Sequence, residues 1–399
     1  MSDRAPLPPP VHVFSGQAGT DGRPNRTSRT EGTRMTYQFS RRAMCRALLL
    51  GSAGLVAGCS TPQPAAPPGS TAEPRAVPAV DGIVAALRDH PVVAIGETHG
   101  SLELHDFLLT LIRDARFAAA AQVVAVEVGA TAQPAIDAYL DRRLGDKALL
   151  ATLRNSIFSD SGAADPRTVD LYRTVRDANA DREPHHRTRI LAADAPLSWQ
   201  QVPASDTVDK DREAAMAAVI GAGALDQRQR VLWVVGGAHL ATQAARGALE
   251  RHAGQPIYTL SLYTGFGRRT QELEGRTAAW PVPAVVPTRG TWLTGVDQLG
   301  NPGAPGDVMQ PVDPPARGTQ PLPGTGLPTQ PVQPTLADVD ALLFLGRCGG
   351  LRPMLPPRSV FADHTYAAEL NRRSRVMWGR DFDVDAYYAA ASAQFGGRC

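Results

Sequence analysis

Val92-Val93-Ala94-Ile95-Gly96-Glu97-Thr98-His99 and Val231-Leu232-Trp233-Val234-Val235-Gly236-Gly237-Ala238-His239 are two versions of one pattern. Each is an apolar run, then a glycine, then a histidine three residues on. Continuous apolar runs of this length fit strands buried on both faces, as in a parallel sheet. The glycine permits a sharp turn away from the sheet. Similar runs recur at Val123–Val128, Arg189–Ala192, Ile257–Leu262 and Ala341–Leu345. Amphipathic stretches at Leu102–Phe117, Thr168–Asn179, Asp206–Ile220, Thr242–Arg251 and Tyr366–Met377 fall between or after them. The alternation predicts an α/β fold with a mainly parallel central sheet flanked by helices and right-handed crossovers.

Polar residues interrupt these runs at matching places. His99 and His239 come after two of the strands, Glu127 sits at the end of a third in Val126-Glu127-Val128-Gly129, and Asp194 comes after a fourth. An acid at an apolar strand end is costly unless paired. Open α/β sheets bind ligands at the carboxyl ends of their strands. Together these interruptions predict one shared polar site, with both histidines facing a water-filled pocket. Plainer readings exist for single residues. Glu97 could cap the next helix, where Thr98 and Ser101 are also capping types. Arg212 could pair at the surface with Asp209 or Glu213. His105 reads as helix packing, His185-His186 as a solvated loop, and His364 as a helix cap.

The joint order of these motifs resembles the superfamily that joins erythromycin esterases, ChaN-like haem-uptake lipoproteins and Tiki/TraB proteins. Gly96-Glu97-Thr98-His99-Gly100, with Glu103 beyond it, is similar to the first motif of that group. Glu127 stands in the place of its next acidic residue. Asp211-Arg212-Glu213-Ala214-Ala215-Met216-Ala217 is similar to the Arg-acid-x-x-Met-Ala helix of the esterases, and Gly236-Gly237-Ala238-His239 to the second Gly-x-x-His motif. Asp340–Phe344 resembles the late strand. The resemblance covers Ala79 to Trp378 apart from a Pro-rich segment; Gly-Gly-Ala-His is less polar than its esterase counterpart.

The esterases imply His99 as a general base helped by Glu127, with His239 at the substrate carbonyl, Glu97 and Arg212 as further catalytic groups, and Glu103 and Asp194 as substrate-binding groups. The Tiki-like members imply His99, His239 and Glu127 as metal ligands. Such a set suits Zn²⁺, Mn²⁺ or Co²⁺ with an open position for water. The ChaN-like members imply haem or iron binding without catalysis instead. The expected function is hydrolysis of an ester or amide bond in a small-molecule or peptide substrate. HExxH, the zinc-protease helix motif, is absent.

The amino-terminal region has its own pattern. Arg41 and Arg42 precede the apolar stretch Ala47–Ala57, which ends in Val56-Ala57-Gly58-Cys59. This reads as a lipoprotein signal peptide over residues 35–58, exported by the Sec or twin-arginine route, with Cys59 taking the lipid. Residues 1–34 read as an extension upstream of the true start at Met35. Residues 59–78 form a Pro/Ala-rich tether, 79–280 plus 336–399 the α/β domain, and 281–335 a Pro/Gly-rich insertion with little to bury. The expected location is the cell envelope, with the membrane as a partner through the anchor. The formal charge is +2 and no basic stripe occurs, which argues against nucleic acid. Cys348 and Cys399 are the cysteines left to pair in an oxidising compartment.

Overall fold

The computed structural model describes residues 71–159, 163–202, 212–266, 269–296 and 335–394. The signal region, Cys59 and Cys399 lie outside the described residues. The strands are β1 (Val77–Pro78), β2 (Val92–Glu97), β3 (Val123–Gly129), β4 (Arg189–Asp194), β5 (Val231–Gly236), β6 (Tyr258–Leu262), β7 (Ala284–Pro287) and β8 (Ala341–Phe344). They form one sheet in the order β1-β7-β8-β6-β2-β5-β3-β4. From β8 to β4 every pairing is parallel. β7 runs antiparallel to β8 and to β1 at one edge. All six apolar runs singled out in the sequence are strands, with ends shifted by two residues at most.

Alternation along each strand divides the core between two faces. Val93, Ile95, Val124, Val126, Leu232 and Val234 join the helices Ala79–Asp89 and Leu102–Arg113 on one side. Ala94, Ala125, Trp233 and Val235 join the helices Arg212–Gly223 and Ala245–Ala253 on the other. Trp233 is opposite Ala94 on one neighbouring strand and Ala125 on the other. Two alanines leave the room that the indole fills, and Trp233 is fully buried. Truncating such a side chain costs about 3–5 kcal/mol. The Leu102–Phe117 stretch is two helices, because Asp114 stops the first and its carboxylate caps the second, Ala115–Ala120, at Arg116 N–H.

Two expected boundaries are corrected. The insertion does not begin at residue 281: Ala284–Pro287 is β7, and Val286, Trp292 and Leu293 are buried in an aromatic cluster with Tyr263, Phe266 and Phe344. The prolines sit at the ends of this short strand, where a missing N–H is tolerated, and they masked it in the composition. Residues 297–334 lie outside the described residues. The tether also ends before residue 78. Val77–Pro78 pairs with β7, Ala72 carbonyl accepts from Trp292 N–H (3.1 Å), and Glu73 accepts from the Trp292 indole (2.8 Å). Cys348 is disulfide-bonded, and the other three cysteines lie outside the described residues. Among the described residues no helix is long and apolar enough to cross a membrane.

Candidate functional site

β2 and β5 are parallel neighbours in register, with Gly96 opposite Val235 and Glu97 opposite Gly236. The twin turns therefore leave the sheet side by side at the carboxyl edge. Each glycine makes room for the other turn. A Cβ on Gly96 would lie 2.7 Å from Leu240 Cδ1 and 3.1 Å from Gly237 Cα. A Cβ on Gly236 would lie 2.9 Å from His99 Nε2 and 3.2 Å from Glu127 Oε2.

Glu127 reaches this point through an irregularity in β3. The register with β4 shifts between Val126 and Gly129. Such a bulge re-aims a side chain, and here the carboxylate crosses to β5, where Oε2 accepts from Gly236 N–H at 2.6 Å. Its two oxygens then serve two histidines: Oε2 lies 3.8 Å from His99 Nε2, and Oε1 lies 3.4 Å from His239 Nε2. Oε1 also accepts from Arg212 Nη2.

Arg212 lies in the helix Arg212–Gly223. Its Nε donates to both oxygens of Asp194 at 2.8 and 3.0 Å, and its guanidinium lies 4.4 Å from the centre of the Phe158 ring. This is a buried bidentate clamp rather than a surface pair. Burial disfavours the cation, but Glu127 and Asp194 more than compensate and raise the Arg212 pKa. Glu213, the next residue, accepts from His239 Nδ1 at 2.7 Å. Its other oxygen accepts from Ala245 N–H at 2.7 Å.

The two histidines differ in setting. His99 Nδ1 meets Glu97 Oε1 at 2.9 Å, and 65% of the His99 side chain is exposed. The His239 side chain is only 10% exposed, so the expectation that both face water is corrected. The turn Gly237–Leu240 packs His239 under Glu127 and Arg212. Surrounding protein disfavours the His99 cation, but Glu127 and Glu97 outweigh it and push the ring up to about 9. Burial likewise opposes the His239 cation, and hydrogen bonds with Glu127 and Glu213 push it up to about 9. Burial pushes Glu127 upward, yet His99, His239 and Arg212 hold it well below the usual carboxylate range. These contacts favour the protonated form of both rings.

Of the residues expected at the site, Glu97, His99, Glu127, Asp194, Arg212 and His239 form one contiguous network. Glu103 stands apart: its carboxylate accepts from the Arg352 backbone N–H (2.8 Å) and side chain (2.9 Å). Glu97 is not a helix cap, because Ser101 Oγ takes that role at Leu104 N–H. The donor atoms that converge for a metal are those of Glu97, His99 and Glu127, all within 4.8 Å of one another. Glu97 lies in this group and His239 does not. Asp363, not His364, caps its helix. Sequence reasoning missed Glu213 and Phe158. For Glu213 the available signal is its place beside Arg212 in the Arg-acid-x-x-Met-Ala motif.

No family model matches the chain, and no curated protein matches it. Solved structures with a general likeness include the type III effector HopBA1, at 17% identity over 51% of this chain and 90% of that one, with a TM-score of 0.34. ChaN of Campylobacter jejuni, with cofacially bound haem, is similar at 13% identity over 46% of this chain and 86% of its own, TM-score 0.32. A structure described as bacterial protein toxins is similar at 17% identity over 47% of this chain and 37% of its own, TM-score 0.31. At these scores the likenesses carry nothing about chemistry.

Proposed function

We propose that this chain is a cell-envelope hydrolase, lipid-anchored through Cys59, that cleaves an ester or amide bond at the carboxyl edge of its sheet. The observation that carries the reading is the convergence of Glu97, His99 and Glu127 at the mouth of the twin turns. One imidazole and two carboxylates suit Zn²⁺, Mn²⁺ or Co²⁺. The site fits such an ion because Gly236 contributes no side chain to the space beside His99 and Glu127. A divalent ion held there supplies Lewis acidity and a hydroxide near neutral pH.

The chain's own groups do the rest. Arg212 fixes Glu127 and Asp194 in place by direct hydrogen bonds. His99 lies open to an incoming substrate. His239 Nε2, beside Glu127, is placed to hand a proton to the leaving oxygen or nitrogen. The test is metal analysis of the purified full chain, followed by an ester and peptide panel before and after chelation. The expected result is a bound divalent metal, turnover lost on chelation, and loss of both in His99→Ala. Haem uptake seen by absorbance, with no hydrolysis before or after metal loading, would overturn this reading in favour of a haem-handling protein.

A further inference from the structure

Glu213 lies outside the groups that converge on the metal position, yet it makes two short contacts. One carboxylate oxygen meets His239 Nδ1 at 2.7 Å and the other accepts from Ala245 N–H at 2.7 Å. Ala245 is the first residue of the helix Ala245–Ala253, and Ala244 before it offers no side-chain cap. Glu213 therefore caps that helix from the neighbouring helix Arg212–Gly223. The hydrogen bond from Ala245 N–H fixes the carboxylate, and the fixed carboxylate faces the histidine. A carboxylate only accepts, so the proton between the two groups belongs to Nδ1. The far edge of the ring then presents Nε2, 3.4 Å from Glu127 Oε1 and 3.4 Å from Arg212 Nη1.

We infer that Glu213 is a positioning residue: anchored by Ala245 N–H, its carboxylate holds a proton on His239 Nδ1 and so fixes Nε2 as the atom that faces Glu127 and the substrate. The inference rests on the hydrolase reading for its kinetic consequence only. The orientation itself comes from the contacts. Arg212 and Glu213 are consecutive, so one helix sets both the clamp on Glu127 and the ring beside it. Residues that hold a ring in one orientation act on the reacting step through that ring.

The alternative is that Glu213 serves only as a helix cap. Glu213→Gln separates the two. The glutamine oxygen is taken by Ala245 N–H, and its NH₂ then faces Nδ1, which must give up its proton and accept. The experiment is nuclear magnetic resonance of the full chain with ¹⁵N-labelled histidine, with the His239 signals assigned by their loss in His239→Gln. The unmodified chain should show a far-downfield proton on Nδ1 of His239, protected from exchange. Glu213→Gln should lose it, and Glu213→Asp should retain it at reduced protection. Turnover in Glu213→Gln should fall by roughly a hundredfold or more in kcat, with KM near that of the unmodified chain.

An unprotected or absent Nδ1 proton in the unmodified chain overturns the inference, whether or not Glu213→Gln folds. So does a Glu213→Gln chain that melts earlier but keeps the Nδ1 proton and its kcat. Absence of turnover in every form overturns the hydrolase reading and leaves the proton measurement to judge Glu213.

Discussion

His99 and His239 leave neighbouring strands by turns of almost the same sequence, and they end in opposite surroundings. The His99 side chain is 65% exposed between two carboxylates, and the His239 side chain is 10% exposed beneath an arginine clamp. The difference lies in the chain beyond each turn. After His99, Gly100 takes a positive φ of 79° and Ser101 starts a helix leading away. After His239, the short turn to Leu240 packs against β2, and the helix Arg212–Gly223 closes over the ring. A local motif sets the direction in which each ring leaves the sheet. The elements packed around it set its exposure and its partners.

The strongest way to break this contrast is to remove the group that the two histidines share. Glu127→Ala takes away both ring contacts and a partner of buried Arg212. Breaking a buried pair costs about 3 kcal/mol or more, and Asp194 still holding Arg212 keeps the loss near that lower figure. Urea denaturation should show this loss together with absent turnover. Unchanged stability would mean that Glu127 is not the hub of the network.

Gly236→Ala tests the same contrast without removing a polar group. Its methyl would press on His99 Nε2 and Glu127 Oε2, so about 1–3 kcal/mol should be lost by overpacking. Metal affinity by isothermal titration should fall by roughly 10–100-fold, the range for disturbed support of a ligand. Gly96→Ala presses instead on Leu240 and Gly237. It should disturb the His239 turn and leave metal affinity less affected. Equal effects on affinity from both variants would erase the distinction between the turns.

Much of this arrangement could be read from the sequence, for a physical reason. Charged and imidazole groups at the ends of continuous Val/Ile/Leu runs are expensive alone, so Glu127, Asp194, His99 and His239 pointed to one another before any contact was known. β1 and β7 were not legible. They are two and four residues long and lie among prolines, so neither shows a period. Glu103 comes soon after the first motif in sequence, but the helix directs it to Arg352, far along the chain. Glu213 reads in the sequence as part of a helix motif or as a surface partner of Arg212, because an acid beside an arginine on a helix is ordinary on a solvated face. Only tertiary packing brings Ala245 N–H and His239 to it.

His239→Ala should cost about 1–2 kcal/mol, since Glu213 loses a buried hydrogen-bond partner. The matching change at His99 should have the smallest effect on stability. The ring is largely in solvent, and Glu97, its partner at 2.9 Å, is itself partly exposed and can turn to water. Replacements of this kind usually stay within about 0.5 kcal/mol. Calorimetry of His99→Ala should therefore give a melting temperature close to that of the unmodified chain, while metal content and turnover are lost. The double change should show the stability loss of His239→Ala and little further loss of activity, because groups acting as one unit are strongly non-additive. Additive activity losses would mean that the two histidines work at separate places. A large drop in melting temperature from His99→Ala alone would mean that His99 supports the fold, and the contrast between the twin turns would fail at its exposed member.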